Sequence, residues 1–169
     1  LEDRRIEDKT REQFENVFAT KVVGLKHILE ALDPSQLRCL AVFSSYTGRF
    51  GRIGQVDYAM ANEALNKLAG EFHALHPACR TRSFNWGPWD GGMVTDSLKP
   101  LFAKEGVGLI PLAAGAQLLV DELESVESSV ELVVLAQAAR SQSSHAPTRQ
   151  AESSTEFGSP LLSLVLEVV

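Results

Sequence analysis

Apolar residues recur at helical spacing through Phe14, Val17, Phe18, Val22, Leu25, Ile28 and Leu29, which predicts one amphipathic helix over residues 10–32. Thr10 and Gln13 stand at capping-box spacing at its start, and Asp33-Pro34 ends it. The apolar run Leu40-Ala41-Val42-Phe43 predicts a buried strand over 38–44 that closes on two hydroxyls, Ser44 and Ser45. Gly48, Gly51 and Gly54 predict a loop, after which a helical pattern runs from about 56 to 75 or 76 and is stopped by Pro77. RTRSFN (80–85) predicts a second strand and Trp86 to Met93 a turn rich in Gly and Pro. A third helix over 111–123 and a last strand over 130–135 (VELVVL) follow. Alternation of strand and helix predicts an α/β fold with a parallel sheet. A polar strand end followed by a glycine-rich loop and a helix predicts an active site at the carboxyl edge of that sheet.

From Ala136 the pattern changes. The stretch AQAARSQSSHAPTRQAESSTEFGSP is rich in Ser, Ala, Gln and Thr and poor in large apolar residues, which is linker composition. The tail SPLLSLVLEVV is apolar again and is read as the start of a neighbouring domain in preference to a last strand of the same one. At 169 residues, 44% hydrophobic and 22% charged, the chain has ordinary globular composition. The net charge of −6 and the lack of a dense basic cluster argue against a nucleic-acid footprint, and no apolar run is long enough to span a bilayer. The charged opening LEDRRIEDKTRE predicts no secretory leader, and a first residue already inside a pattern predicts an excised piece of a longer chain. Cys39 and Cys79 lie in apolar strand-like runs and read as buried free thiols, which suits the cytoplasm. His73 and His76 read as surface residues near a helix end. Nothing pairs them with a ligand at metal spacing, so no metal site is expected.

The residues that carry chemistry are Lys21, Ser45, Tyr58 and Asn62. Ser45 follows Lys21 by 24 residues, Tyr58 follows Ser45 by 13, and Asn62 follows Tyr58 by 4. Tyr58 and Asn62 therefore share a helix face that looks back at Ser45. These four spacings, with the surrounding text FSSYTGRFG, QVDYAMANEALNK and NWGPWDGGM, resemble the ketoreductase domains of polyketide and polyunsaturated fatty-acid synthases, in the short-chain dehydrogenase/reductase superfamily. The resemblance runs from Leu1 to about Leu135. It implies a Rossmann-like, doubly wound parallel sheet of which this chain is the carboxyl half: residues 1–136 as the reductase part, 137–159 as linker, and 160–169 as the start of a next, dehydratase-like domain. The glycine-rich dinucleotide fingerprint of the family is absent after any strand here, since GRFGRIG falls between the Ser and the Tyr. The phosphate-gripping half is therefore expected upstream, and the chain alone is expected to bind dinucleotide poorly.

The resemblance also implies roles. Tyr58 is the proton donor to a ketone, Ser45 binds and orients the carbonyl oxygen, and Lys21 lowers the phenol pKa and holds the nicotinamide ribose. Asn62 holds the lysine or a relay water. Ser44 is placed beside the cofactor, Gly87 and Pro88 lie along the nicotinamide, and Met93 belongs to the same loop; Leu98, Phe102 and Leu109 provide apolar cover over the substrate. The implied cofactor is NADPH, the implied substrate a 3-ketoacyl group tethered to an acyl carrier protein, and the implied partners are neighbouring synthase domains. Two other readings stay open: a free-standing reductase of a small ketone, and a catalytically silent half-domain that braces its neighbours. Gln55 fits one stereochemical class of these domains and Phe50 departs from it, so the configuration of the alcohol stays open.

Overall fold

The computed structural model describes residues 2–126 and 129–137 and the backbone strand Leu164–Val168. Among these, three parallel strands, β1 (Cys39–Ser45), β2 (Arg80–Trp86) and β3 (Glu131–Ala136), lie side by side in the order of the chain. β4 (Leu164–Val168) pairs antiparallel with the outer side of β3, Leu132 facing Val168 and Ala136 facing Leu164. The expected linker over 137–159 lies almost wholly outside the described residues.

The first predicted helix is not uniform. An α-helix, α1 (Arg11–Phe18), passes into a π-helical turn (Ala19–Val23) and then α2 (Gly24–Ala31). Its start is the predicted capping box, with Gln13 N donating to Thr10 Oγ1 at 3.2 Å and Thr10 N donating to Gln13 Oε1 at 3.1 Å. The wide turn carries Lys21, half-buried, beside Val22, which is buried. Such turns often coincide with functional residues. The loop expected after Ser45 begins instead as a short helix, α3 (Tyr46–Phe50), with Ser45 as its cap. α4 (Val56–Leu75), a short α5 (Lys99–Lys104) that the sequence did not signal, and α6 (Leu112–Glu124) complete the set.

Helices cover both faces of the sheet, as a doubly wound fold requires. One core gathers Phe84, Trp86, Ile110, Leu132, Val134 and Ala136, with Leu118 and Leu119 of α6 against it. The opposite face joins Val42 of β1 to Leu65 and Ala69 of α4. β1 is not the fully buried strand the apolar run predicts. It is an edge strand, with Phe43 half exposed and Cys39 exposed, while Cys79 is buried as expected.

Polar residues set how α4 seats on the sheet. Asn66 Nδ2 donates to Asn85 Oδ1 at 2.8 Å and to Glu63 Oε2 at 2.9 Å, and Asn66 Oδ1 accepts from Ser83 Oγ at 2.7 Å. Ser44 Oγ donates to the Asn62 carbonyl at 3.0 Å and lies 3.2 Å from Asn85 Oδ1. All of these groups except Glu63 are buried, so each lost partner is expensive. Asn66→Ala removes the acceptor of the Ser83 hydroxyl and one of the two donors to Asn85 Oδ1. It is expected to cost about 1–3 kcal/mol per orphaned group, read as a lower urea midpoint with unchanged m. Close approach matters too: a Cβ at Gly48 would stand 3.0 Å from the Glu63 backbone nitrogen and 3.2 Å from Asn62, so glycine there lets α3 lie against α4.

Candidate active site

β1 delivers Ser44 and Ser45 at its carboxyl end, and alternation sends them to opposite sides. Ser44 turns inward, and its hydroxyl bonds the Asn62 carbonyl beneath α4. Ser45 turns to the open edge and caps α3. Its Oγ accepts from Thr47 Oγ1 at 2.9 Å and from Thr47 N at 3.3 Å. With both lone-pair directions engaged, the Ser45 hydroxyl proton is directed into the cavity, where the Tyr58 phenol also stands. Thr47 is buried and is therefore the residue that orients Ser45. Nothing in its type or spacing distinguishes it from any other loop threonine.

Tyr58 sits in the first turn of α4, half-buried. Burial pushes its phenol above the ordinary value of 10, Ser45 and Asn62 act the other way through hydrogen bonding, and the Asp3 carboxylate adds to the rise. Lys21 reaches across from the π turn. Its Nζ stands 5.3 Å from the Tyr58 ring centroid and 3.5 Å from the Phe43 carbonyl, a cation over an aromatic face. Burial pulls the ammonium below its ordinary 10.5. Lys21 is not among the groups that move the Tyr58 phenol in the ligand-free chain, where desolvation is the largest cause and holds it above its ordinary value. Asn62 does not line the pocket. It is fully buried, its Nδ2 donates to the Tyr58 carbonyl at 2.7 Å, and its Oδ1 has no hydrogen-bond partner.

Lys21, Ser44, Ser45, Tyr58, Gly87, Pro88 and Met93 all line one cavity of about 510 Å³ at the carboxyl edge of the sheet. Its other walls are mainly apolar, with Phe43, Trp86 and Trp89 on the sheet side and Leu98, Leu101, Phe102 and Leu112 on the outer side. Leu98 and Phe102 stand where cover was expected; Leu109 does not reach the cavity. Five polar residues beyond the predicted set, Asp3, Tyr46, Thr47, Arg52 and Gln55, join the wall. Asp3 accepts from Gln55 Nε2 at 2.8 Å. Arg52 donates to Tyr46 Oη at 3.0 Å, pairs with Glu105 at 3.0 Å, and lies 5.0 Å over the Phe102 ring. Arg52 thereby ties the outer wall to α3, a role that only the folded chain reveals because Glu105 is 53 residues away.

The cavity can take a planar ring beside Lys21 and Tyr58. The Lys21 ammonium has one long hydrogen bond and spare donors, which fits vicinal hydroxyls of a ribose. No cluster of residues suited to a metal ion occurs among the described residues, and none of their helices is long and apolar enough to cross a membrane.

A family model described as "KR domain" matches residues 1–91. The chain is 47% identical over 116 residues to a polyunsaturated fatty acid synthase polypeptide of Thraustochytrium sp., covering 69% of this chain and 4% of that protein. It is 31% identical over 170 residues to the polyketide synthase PksN of Bacillus subtilis, covering 92% of this chain and 3% of that protein. Among solved structures, a ketoreductase from the first module of phoslactomycin biosynthesis in Streptomyces sp. HK803 superposes with a TM-score of 0.72 at 31% identity, over 79% of this chain and 30% of that one. A ketoreductase domain from the bacillaene assembly line gives 0.69 at 32%, over 79% and 33%. The chain therefore spans only a few per cent of the curated relatives and about a third of the solved domains. A short-chain dehydrogenase from Streptomyces avermitilis, 16% identical with a TM-score of 0.62, shares the fold. The chain belongs to the KR domain family of polyketide and polyunsaturated fatty-acid synthases, ketoreductases with the fold of the short-chain dehydrogenases.

Proposed function

We propose that this chain is the catalytic half of a ketoreductase domain that reduces a 3-ketoacyl thioester, carried on an acyl carrier protein, to the 3-hydroxyacyl thioester at the expense of NADPH. The observation that carries the reading is the convergence of Lys21, Ser45 and Tyr58 on one cavity, with Ser45 oriented by Thr47 and Tyr58 held as a neutral phenol. The cofactor supplies a hydride to the carbonyl carbon. As negative charge grows on the carbonyl oxygen, Ser45 donates a hydrogen bond to it and Tyr58 passes it a proton. Lys21 places its ammonium beside the phenol, where it favours the phenolate left behind, and offers its remaining donors to the cofactor ribose. Asn62 holds the Tyr58 carbonyl and so acts on the site through the backbone of the first turn of α4. Gly87, Pro88 and Met93 form the wall along the nicotinamide. Ser44 lines the cavity beside the cofactor and also seats α4 through its bond to the Asn62 carbonyl.

The half exposure of Phe43 on the open edge of β1 supports a sheet that continues into a preceding segment carrying the pyrophosphate site. In this layout 1–136 belong to the reductase and 137–159 follow as linker, and the pairing of Leu164–Val168 with β3 favours 160–169 as a last strand of the same sheet over the start of a next domain. The test uses the complete domain, extended upstream. NADPH absorbance is followed with a 3-ketoacyl thioester and with a simple cyclic ketone, beside the present chain alone. Turnover by the complete domain supports the reading, and a folded complete domain without turnover refutes it in favour of a structural brace.

A further inference from the structure

Before α1 the chain contributes Asp3 to the cavity wall; three contacts fasten this strap, residues 2–9, to the start of α4, and a fourth closes it on itself. Arg4 N donates to the Gly54 carbonyl at 2.9 Å, and Gln55 Nε2 donates to Asp3 at 2.8 Å. Lys9 Nζ donates to the Glu2 carbonyl at 2.5 Å and to Asp57 Oδ2 at 2.7 Å. The last contact differs in kind. The side chains of Lys9 and Asp57 are only 4% and 1% exposed, whereas every other ion pair among the described residues has partners that are at least 15% exposed. Charges are removed from water in this way at high cost, and apolar residues would often serve stability as well. What an ion pair adds over apolar contact is direction.

Asp57 immediately precedes Tyr58, in a helical turn where Gln55, the residue before the helix, makes no side-chain capping bond. The position of this turn therefore depends on Asp57, and that of Asp57 on Lys9. Resting on the reductase reading above, we infer that the buried Lys9–Asp57 pair is a clamp that sets the depth of Tyr58 in the cavity, making Lys9 and Asp57 positioning residues for proton transfer. The same pair closes the strap on itself through the Glu2 carbonyl, so the clamp and the cavity wall form together.

The test uses the complete domain with NADPH and a cyclic ketone. Lys9→Met is expected to lower kcat per folded enzyme about tenfold to a hundredfold, the scale of a misplacement of about 1 Å, with the KM for NADPH unchanged. Lys9→Arg keeps a directional cation and is expected to recover most of kcat. Because Lys9→Met leaves a buried lone carboxylate, Lys9→Met/Asp57→Leu is measured beside it: this pair packs without charge, and the kcat deficit is expected to persist. Trypsin cleavage after Arg4 and Arg5 is expected to quicken in both variants, a readout that needs no turnover. Wild-type kcat in the folded double variant, or cleavage as slow as in wild type, overturns the clamp. Absence of turnover in the wild type overturns the reductase reading instead, and the cleavage comparison still decides whether the clamp exists.

Discussion

Tyr58→Phe is expected to lower kcat for ketone reduction by about a hundredfold or more, the scale of a lost general acid, with the urea midpoint little changed. The two expectations follow from one geometry. The phenol oxygen is placed in the cavity beside Ser45 and no packing depends on it, so its removal leaves the ring in contact with Lys21. The pH dependence carries the sign. Burial, opposed by Ser45 and Asn62, holds the phenol above its ordinary 10. The proton to be donated is thus present throughout the neutral range, and reduction is expected to fall only on an alkaline limb beyond about pH 10. Oxidation of the alcohol needs the phenolate and is expected to rise along that same limb. Stability follows the same group: between 10 and the raised value the folded state binds more protons than the unfolded one, so stability falls as pH rises. Tyr58→Phe is expected to remove that decline. A reduction rate that falls well below pH 9, or a variant as active as wild type, would assign proton donation to another group.

The proposed catalytic set could be named from the sequence because it is local. Ser45 ends an apolar run, Tyr58 and Asn62 are one helical turn apart, and Lys21 lies on a strongly periodic helix; each position is fixed by an element that short-range pattern predicts. Three features were not legible, for a shared reason. The π turn that carries Lys21 changes the hydrogen-bonding ladder without changing the apolar spacing, so the periodicity reads as one plain helix. The exposure of β1 follows from which strand lies beside it, which no residue of β1 encodes. The pairings Arg52–Glu105, Lys9–Asp57 and Asp3–Gln55 join residues 48 to 53 positions apart, beyond the reach of any helical or strand period. The raised phenol is of the same kind. A lysine nearby argues for a depressed pKa, and only the depth of burial shows that desolvation prevails.

Lys21→Met is expected to reduce kcat/KM by about a hundredfold and to raise the KM for NADPH by about ten- to a hundredfold, the range of a lost hydrogen bond from a charged donor. The substitution keeps the length of the stem and removes the ammonium. It leaves Tyr58 without a cation over its ring and removes the donors proposed for the cofactor ribose, so binding and proton transfer are expected to suffer together, unlike Tyr58→Phe, which is expected to spare the KM for NADPH. Lys21→Arg is not expected to restore activity, because a planar fork cannot occupy the place of a compact ammonium between the ring and the Phe43 carbonyl. Stability should move the other way. Burial without an acidic partner lowers the Lys21 pKa from 10.5, so just below 10.5 the folded state binds fewer protons than the unfolded one and wild-type stability rises with pH. That rise is the release of a desolvation cost which the Met variant never carries. Urea titrations near neutrality are expected to find the variant at least as stable as wild type, the difference narrowing as pH approaches 10.5. A variant less stable than wild type near neutrality would mean that the ammonium is tied into the fold and not held ready for a ligand.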